Sequence, residues 1–455
     1  MQDVDIIQLA SDAKSRVDPC QPTTGSTPLM GASPTTLYPS RVRSLACLSC
    51  GAHFAPEDDL ATCPRHAHEG ALEIRYGAPG RSPGALRAAI EAGPWSMWRY
   101  GPLLPLPAAA AVPAVHVGWT PLYQATNLGR HLGTPRLYLK DDGRNPTASL
   151  KDRASALAAA ATVLRALPVV ACASTGNAAS SLAAMAASMG LRPILLVPES
   201  IPEPKLTQLL IFGAEVYLVR GSYDDAFDLC HAACQAWGWY DRSAGMNPYL
   251  VEGKKTAALE ILEQLGWDPP EAIVCSVGDG SVIGGLWKGL REAHEFGLIE
   301  TLPRLIGVQA EGADPVARAW RSGARLPETM APSSLADSIA VGVPRDPRHA
   351  LDAVRSTGGV YVSVSDEAIL EAMRQLARRA AVFAEPAAAA PVAGIRVAVD
   401  AGYLDRSERV AAVISGSGLK DVRGAGRAVV RPELIDCTLD ALAEARGLTG
   451  AAGHR

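Results

Sequence analysis

A lysine near the start of a helix is the residue of this sequence best suited to covalent chemistry. The stretch NPTASLKDR, residues 145–153, joins a predicted strand at 136–140 to a predicted alanine-rich helix at 150–167. Thr147 and Ser149 are predicted to cap that helix. Lys151 falls in its first turn, where the helix dipole favours loss of the cationic proton, and only the neutral amine forms a Schiff base. Short motifs produce many false positives, so this stretch by itself fits a solvated lysine better.

Two further loops are typical of anion binding, because each follows a predicted strand and opens a predicted helix. The first offers backbone N–H groups and two hydroxyls, and it comprises Ser174, Thr175, Gly176 and Asn177. The second is glycine-rich, so its backbone can approach a phosphate closely, and it comprises Gly278, Asp279, Gly280 and Ser281. Each loop alone is a weak signal, since an ordinary helix cap or turn has the same pattern.

Cysteines cluster near the N-terminus with the spacing of metal ligands. Two pairs, each with two residues between its members, supply three thiolates and one imidazole from Cys47, Cys50, Cys63 and His66. Such a tetrahedral set favours zinc. His53 or His68 could replace the fourth ligand, and the alternative is a former metal-binding segment that no longer holds an ion. A redox dithiol is disfavoured, because no strand–helix pattern frames the first pair.

From Trp119 onward, short apolar runs alternate with helical stretches. The runs predicted as buried strands are 168–173, 193–197, 215–219, 272–277, 305–309, 360–364 and 410–414. The predicted helices are 150–167, 177–189, 204–212, 223–237, 252–265, 285–294, 366–379 and 387–399, with Gly190 and Gly213 where two of them end. This alternation predicts an α/β fold of parallel sheets with right-handed crossovers, whose ligands bind beyond the carboxyl ends of the strands.

Composition narrows the function classes. The 455 residues suffice for two or three domains, and 48% hydrophobic with 20% charged residues suits a globular protein. A net charge of −4 gives no general attraction to nucleic acid or to an anionic membrane. No apolar run is long enough to span a bilayer, and the first residues do not resemble a signal peptide. Nine cysteines in a chain of this size do not indicate a disulfide scaffold, so a cytoplasmic location is expected.

Five stretches in order carry a resemblance to a known family. They are NPTASLKDR, STGNAASSLAA from Ser174, NPYLVEGKKT from Asn247, SVGDGSVIGGLWKG from Ser276 and SGSGLKD from Ser415. Together they resemble the threonine synthases and their relatives, which are fold-type II pyridoxal-phosphate enzymes. The resemblance implies a fold like that of tryptophan synthase β, with two parallel-sheet domains, the cofactor in the cleft between them, and a small N-terminal zinc-ribbon-like segment.

The resemblance also implies domain boundaries. A flexible extension is expected at 1–40, the zinc-ribbon-like segment at 41–77, and a small α/β domain at 164–262. The large cofactor domain would combine 78–163 with 263–425, and residues 426–455 would form a tail with a short helix at 432–446. Within the large domain, residues 77–117 are predicted to be an irregular connector. By analogy with the family, a homodimer is expected.

Roles for the site residues follow from the same resemblance. Lys151 would hold pyridoxal 5′-phosphate as an internal aldimine, and Asn177 would bond the ring hydroxyl of the cofactor. The loop from Ser174 to Asn177 would hold the substrate carboxylate, and the Gly278–Ser281 loop would hold the cofactor phosphate with the Asp279 carboxylate turned away. A hydroxyl such as that of Ser415 would bond the pyridine nitrogen. Glu385 matches a Glu-Pro-Ala segment at the cleft.

The implied reaction converts the small amino acid O-phospho-L-homoserine and water to L-threonine and phosphate through aldimine and quinonoid states. A second anion site must hold the leaving phosphate, and here the chain departs from the family. An Asn-Ser pair and an arginine are common in the family where this chain has Ala244-Gly245 and Leu250. Arg242, Lys254 and Lys255 lie nearby in sequence and are candidates to compensate.

Three functions therefore stay open. The first is a threonine synthase or close homologue, which the order of the motifs favours. The second is a related enzyme that performs β-replacement or β-elimination on another amino acid, such as a cysteate synthase-like or serine/threonine dehydratase-like enzyme, which the missing phosphate contacts favour. The third is a non-catalytic protein on the same scaffold, and the intact Lys151 argues against it. Ala148 and Leu150 also differ from the Gly and Phe usual in the family.

Overall fold

The computed structural model describes residues 37–66 and 70–447, and these form one compact unit. Its strands make three sheets. They are β1 (Val42–Cys47), β2 (His53–Phe54), β3 (Leu72–Tyr76), β4 (Leu122–Gln124), β5 (Arg136–Asp141), β6 (Val169–Ala173), β7 (Arg192–Pro198), β8 (Glu215–Val219), β9 (Tyr240–Asp241), β10 (Ala272–Ser276), β11 (Arg304–Ala310), β12 (Val360–Val364) and β13 (Arg409–Ile414).

Fourteen α-helices occur in the described residues, and none is long and apolar enough to cross a membrane. They are α1 (Pro83–Glu91), α2 (Thr126–Leu132), α3 (Lys151–Leu164), α4 (Asn177–Ser188), α5 (Glu203–Ile211), α6 (Tyr223–Trp237), α7 (Tyr249–Gln264), α8 (Ser281–Glu295), α9 (Pro315–Ser322), α10 (Pro347–Ser356), α11 (Asp366–Ala380), α12 (Pro386–Asp400), α13 (Val422–Gly426) and α14 (Leu439–Ala445).

The two larger sheets confirm the predicted α/β class. One has six strands in the order β12-β11-β10-β13-β5-β4, all parallel except β4, which is an antiparallel edge strand. The other has four parallel strands in the order β8-β7-β6-β9. In both sheets a central strand, β6 or β10, is buried along its whole length, as expected when helices cover both faces. The carboxyl ends of β6, β10 and β13 each lead into one of the loops singled out in the sequence.

The third sheet belongs to the segment with the clustered cysteines. Here β1 pairs antiparallel with both β2 and β3, with Leu45 opposite Phe54 on one side and Ile74 on the other. From β3 the Tyr76 hydroxyl donates a 2.6 Å hydrogen bond to Glu252 on α7. Because α7 also lines the predicted site, this small sheet is joined directly to the helix layer beneath it.

Helix α3 is held very close to α7. Its alanines at 154, 156 and 158–161 are fully buried, and a Cβ added to Gly253 on α7 would lie 2.3 Å from the Arg153 carbonyl oxygen. Arg153 is itself buried and forms ion pairs with Asp142 and Glu260. These contacts fix the first turn of α3, and therefore the position of Lys151.

Two predictions about local structure are wrong. Residues 77–117 are not simply an irregular connector, since they contain α1, capped by Ser82, and a 3₁₀ segment at Met97–Leu103. Thr147 and Ser149 do not cap α3, whose N-cap is Leu150 and has no side-chain cap. Instead, the Asp152 carboxylate accepts hydrogen bonds from the Thr147 backbone N–H at 2.7 Å and from its hydroxyl at 2.5 Å.

Candidate active site

A cavity of about 610 Å³ opens at the carboxyl ends of the central strands of the two larger sheets. The structure brings together in its wall every non-metal residue singled out in the sequence as a site residue: Lys151, Ser174, Thr175, Gly176, Asn177, Gly278, Asp279, Gly280, Ser281 and Ser415. These residues come from four separate stretches that the chain topology alone makes neighbours. Their individual roles toward a ligand stay predictions.

Lys151 is the first residue of α3, and its amine faces the cavity. Burial lowers its pKa, and the nearby guanidinium of Arg242 lowers it further, whereas Asp279 and Glu385 oppose the shift. Directly before it, the Leu150 N–H donates a 2.8 Å hydrogen bond to the Ser415 carbonyl at the end of β13. The site therefore favours the neutral, nucleophilic amine at a fixed position.

Ala148 has a backbone conformation that glycine adopts more easily than alanine. Its φ is +61°, in the left-handed region that side chains disfavour, at a cost of about 1 kcal/mol. Its N–H donates to the Asn145 carbonyl, and its own carbonyl accepts from the Ser417 N–H at 3.0 Å. The turn is thus held by the loop after β13 despite the unfavourable backbone conformation.

The loop after β6 meets a buried carboxyl group from the other side of the cleft. Asn177 opens α4, and its side-chain amide donates a 2.9 Å hydrogen bond to Glu385. Burial raises the pKa of Glu385 to about 7, although Lys151, Lys420 and the Asn177 contact oppose the shift. Glu385 can therefore change its charge near neutral pH within reach of Lys151.

The glycine-rich loop after β10 leads into the N-terminus of α8. Gly280 is the N-cap with a φ of +100°, and an added Cβ would lie 2.4 Å from the Asp346 carbonyl oxygen, so only glycine fits. No side chain caps this helix, which leaves its first N–H groups directed at the cavity. An uncapped helix N-terminus with a close backbone approach fits the phosphate of a cofactor.

Asp279 belongs to this glycine-rich loop, which is predicted to bind the cofactor phosphate. Its carboxylate accepts a 3.3 Å hydrogen bond from the Arg345 N–H, and burial raises its pKa against the opposing effect of Lys151. The Arg345 contact would hold the carboxylate away from an anion at the loop, and that orientation stays a prediction.

Two of the three residues named in the sequence as candidates to compensate for the missing phosphate contacts lie in the cavity wall. Arg242, only 2% exposed, follows β9; its Nε donates to Ser155 at 2.9 Å, and its Nη2 is buried without a partner. Lys254 on α7 donates a 2.5 Å hydrogen bond to the Ser281 hydroxyl. Ala244 also lines the cavity, whereas Leu250 packs in the core.

Lys255, the third candidate, lies elsewhere. It is fully buried in ion pairs with Glu252 and Glu292, on the side of α7 that faces the small antiparallel sheet. Successive side chains of a helix point about 100° apart, so Lys254 and Lys255 lie in different environments although they are neighbours in the sequence.

The four predicted metal ligands also come together. One donor atom from each of Cys47, Cys50, Cys63 and His66 lies within 4.8 Å of the others. His53 instead contacts Ser44 at 2.9 Å, and His68 lies outside the described residues. This donor set fits a tetrahedral zinc ion.

The fold and the lysine-centred cavity define a pyridoxal-phosphate enzyme of fold type II. Among solved structures, maize serine racemase matches with a TM-score of 0.57 at 20% identity, over 66% of this chain and 88% of that one. A T.th. threonine deaminase matches with a TM-score of 0.56 at 26% identity, over 66% of this chain and 92% of that one.

Residues 114–416 match the family model described as pyridoxal-phosphate dependent enzyme, and the chain belongs to that family. The threonine synthase of Methanocaldococcus jannaschii is 36% identical over 87% of this chain and 97% of its own length. That of Methanosarcina acetivorans is 36% identical over 88% and 98%, and that of Mycobacterium tuberculosis 38% identical over 67% and 82%.

Proposed function

We propose that this protein is a threonine synthase or a close homologue, a pyridoxal-phosphate-dependent lyase that converts O-phospho-L-homoserine and water to L-threonine and phosphate. The observation that carries this proposal is the likeness to threonine synthases along nearly their full length. It agrees with a cavity in which the amine of Lys151 forms no ion pair with any described residue. The reacting lysine, the anion-binding loops and the carboxyl group at the cleft are all present in that cavity.

The chain's own residues divide the work. Lys151 is the group that holds the cofactor and moves protons at the α- and β-carbons of the substrate. The N–H groups and hydroxyls of the loop from Ser174 to Asn177 hold the substrate carboxylate, and the N-terminus of α8 holds the cofactor phosphate. Ser415 bonds the pyridine nitrogen. When bound, the cofactor supplies an electron sink for the carbanion formed at the α-carbon.

The reaction balances without an oxidant or a further reactant. The bond between the γ-carbon and the phosphate oxygen breaks and phosphate leaves, while protons removed from the α- and β-carbons return to the carbon skeleton. Water then adds as a hydroxyl group at the β-carbon, and its other proton balances the charge of the released phosphate. Release of phosphate and formation of threonine should therefore be equal.

Incubation of the cofactor-loaded protein with O-phospho-L-homoserine tests this proposal. Equal amounts of phosphate and threonine are expected, and neither should form with the Lys151→Ala variant. A wild-type protein that shows the absorbance of lysine-bound cofactor but releases no phosphate would contradict the proposed substrate.

A second candidate function is β-replacement or β-elimination on another amino acid. It is favoured by Ala244, which lines the cavity without a polar side chain, and by Leu250, which is buried in the core. This candidate predicts turnover of serine, threonine or phosphoserine in preference to O-phospho-L-homoserine. Parallel assays with the four substrates separate the two functions.

We further propose one structural zinc ion per chain, held by Cys47, Cys50, Cys63 and His66. Metal analysis of the purified protein should find about one zinc, and Cys63→Ser should lose it. A protein free of zinc that keeps its thermal stability would contradict this proposal. By family analogy we propose a homodimer, which sedimentation would test; the cytoplasmic location and the domain boundaries stay predictions from the sequence.

A further inference from the structure

Three basic residues of the cavity wall have no carboxylate in ion-pair contact among the described residues. Lys151, Arg242 and Lys254 all line the cavity, yet none of the ion pairs found among the described residues involves any of them. Arg242 lowers the pKa of both lysines, and Lys151 lowers that of Lys254. Asp279 acts on both lysines from a longer distance.

Arg242 is the most informative of the three. An arginine cannot escape burial by losing its proton, because its pKa is too high, so a guanidinium 2% exposed is expected to be paired. Its Nε is satisfied by Ser155, but its Nη2 has no hydrogen-bond partner. A buried polar group left without a partner costs about 1–3 kcal/mol, which is offset when a ligand supplies the acceptor.

Lys254 extends this site toward the cofactor cradle. Its amine contacts the hydroxyl of Ser281, the first residue of α8, while Arg242 reaches the cavity from the end of β9 in the other sheet. The cofactor phosphate already has the free N–H groups of α8, whereas no described carboxylate pairs with Arg242. Arg242 and Lys254 therefore enter the same cavity from two different elements.

We propose that Arg242 and Lys254 form a second anion subsite, which binds the phosphate of the substrate in place of the contacts that Leu250, Ala244 and Gly245 cannot make. A planar guanidinium can hold two phosphate oxygens at once, and the lysine adds a single charged donor. This donor set fits a multiply charged oxyanion such as phosphate; that the anion is the leaving group of the substrate rests on the proposed function.

Calorimetric titration of inorganic phosphate into the cofactor-loaded protein tests the subsite without turnover. Arg242→Gln and Lys254→Gln should each weaken phosphate binding by roughly tenfold or more, while the absorbance of bound cofactor is retained. Arg242→Lys, which keeps the charge but loses the second donor, should fall between Gln and wild type and serves if the Gln variant does not fold. Lys205→Gln is the matched control, because Lys205 lines the same cavity but is already paired with Asp337 at 2.5 Å.

The outcomes separate the subsite from the reaction. Loss of cofactor in Arg242→Gln and Lys254→Gln, with unchanged phosphate affinity in the fraction still loaded, would assign the pair to the cofactor phosphate and overturn the inference. No phosphate binding to wild type, or equal binding to all variants, would also overturn it. Phosphate binding that depends on Arg242 in a protein that makes no threonine would uphold the subsite and reject the proposed reaction. Threonine formation with an unchanged KM in Arg242→Gln would uphold the proposed reaction and reject the subsite.

Discussion

Two groups of buried charges lie on opposite sides of α7, and they differ in what neutralises them. On one side Lys255, Lys288 and Arg291 meet three carboxylates, those of Glu73, Glu252 and Glu292, which together we call the paired-ion cluster. On the other side Lys151, Arg242 and Lys254, which we call the cavity cations, have no carboxylate in ion-pair contact among the described residues. Every member of the first group has an ion-pair partner within the protein, whereas we infer that ligands supply the opposite charge for the second.

This difference separates a structural charge from a functional one. The paired-ion cluster joins β3 of the small sheet to α7 and α8, so its charges hold elements together. Burial lowers the pKa of Lys254 well below its ordinary value, Lys151 and Arg242 add to the shift, and Asp346 and Asp279 oppose it without reversing it. Lys254 and Lys255 are adjacent on α7, yet we expect the charge of Lys255 to stabilise the fold and that of Lys254 to destabilise it.

The largest expected effect concerns activity at a cavity cation. Lys151→Ala should reduce turnover by at least about 1,000-fold, because it removes both the cofactor attachment and the base. The free energy of unfolding of the cofactor-free protein should change by less than about 1 kcal/mol, since no ion pair is lost. Assay and denaturant titration of the same preparation measure both. A variant that loses activity only because it unfolds would place Lys151 with the paired-ion cluster.

The opposite result is expected in the paired-ion cluster. Lys255→Met leaves the carboxylates of Glu252 and Glu292 without one of their partners, and breaking a buried pair costs about 3–5 kcal/mol. Phosphate affinity of any protein that still folds should be unchanged. Urea unfolding of the cofactor-free protein measures the loss. A cost below about 1 kcal/mol would mean that Lys288 alone neutralises both acids.

Much of the fold could be predicted because its signals are local. Helix Tyr223–Trp237 and strand Glu215–Val219 were predicted at both ends: a Ser222 cap and Gly238 bound the helix, and a run of apolar and β-branched residues marks the strand. Helix α1 was missed inside a stretch rich in proline and glycine, although Ser82 followed by Pro83 is a standard helix start.

The site could be predicted in part for the same reason. Loops that follow strands and open helices are visible in sequence, and the order of the motifs ties them together. The sequence does not show that Lys254 and Lys255 have different environments. Only the packing of α7 between α3 and α8 decides which of the two lysines contacts carboxylates. The buried Nη2 of Arg242 likewise depends on contacts distant in sequence.

A third prediction uses the carboxyl group that faces the cavity cations. The pKa of Glu385 is raised from 4.5 to about 7, so the folded protein binds this proton more tightly than the unfolded chain does. The contribution of Glu385 to the stability of the cofactor-free protein should therefore fall by about 3 kcal/mol as pH rises from about 4.5 to about 7. Glu385→Gln should remove this contribution and be the more stable form at pH 8.

Thermal unfolding from pH 5 to 8 compares the two proteins. Other groups near Glu385 are Lys151, Lys420 and Asp421, and they are common to wild type and variant, so the difference between the curves reports Glu385. Parallel curves for the two proteins would contradict the raised pKa. A Glu385→Gln variant that is less stable at every pH would show that the Asn177 contact outweighs the charge.

The smallest expected effect is also the most direct contrast with Lys255. Lys254→Met should stabilise the cofactor-free protein by about 0.5–2 kcal/mol at neutral pH, because it removes a buried amine that no described carboxylate pairs. The lowered pKa of Lys254 means that the unfolded chain binds this proton more tightly than the folded protein does. The contribution of Lys254 to stability therefore rises with pH, opposite in sign to that of Glu385, and the variant should lose this contribution.

Added phosphate should reverse the order of stability of wild type and Lys254→Met if the cavity cations bind an anion. A ligand that binds only the native state stabilises it according to its affinity, so phosphate should raise the melting temperature of wild type more than that of Lys254→Met. Lys255 offers the matched contrast, since Lys255→Met should respond to phosphate as wild type does. Destabilisation of Lys254→Met by more than about 1 kcal/mol without phosphate would mean that protein groups hold Lys254 as firmly as Lys255, and the distinction between the two faces of α7 would then fail.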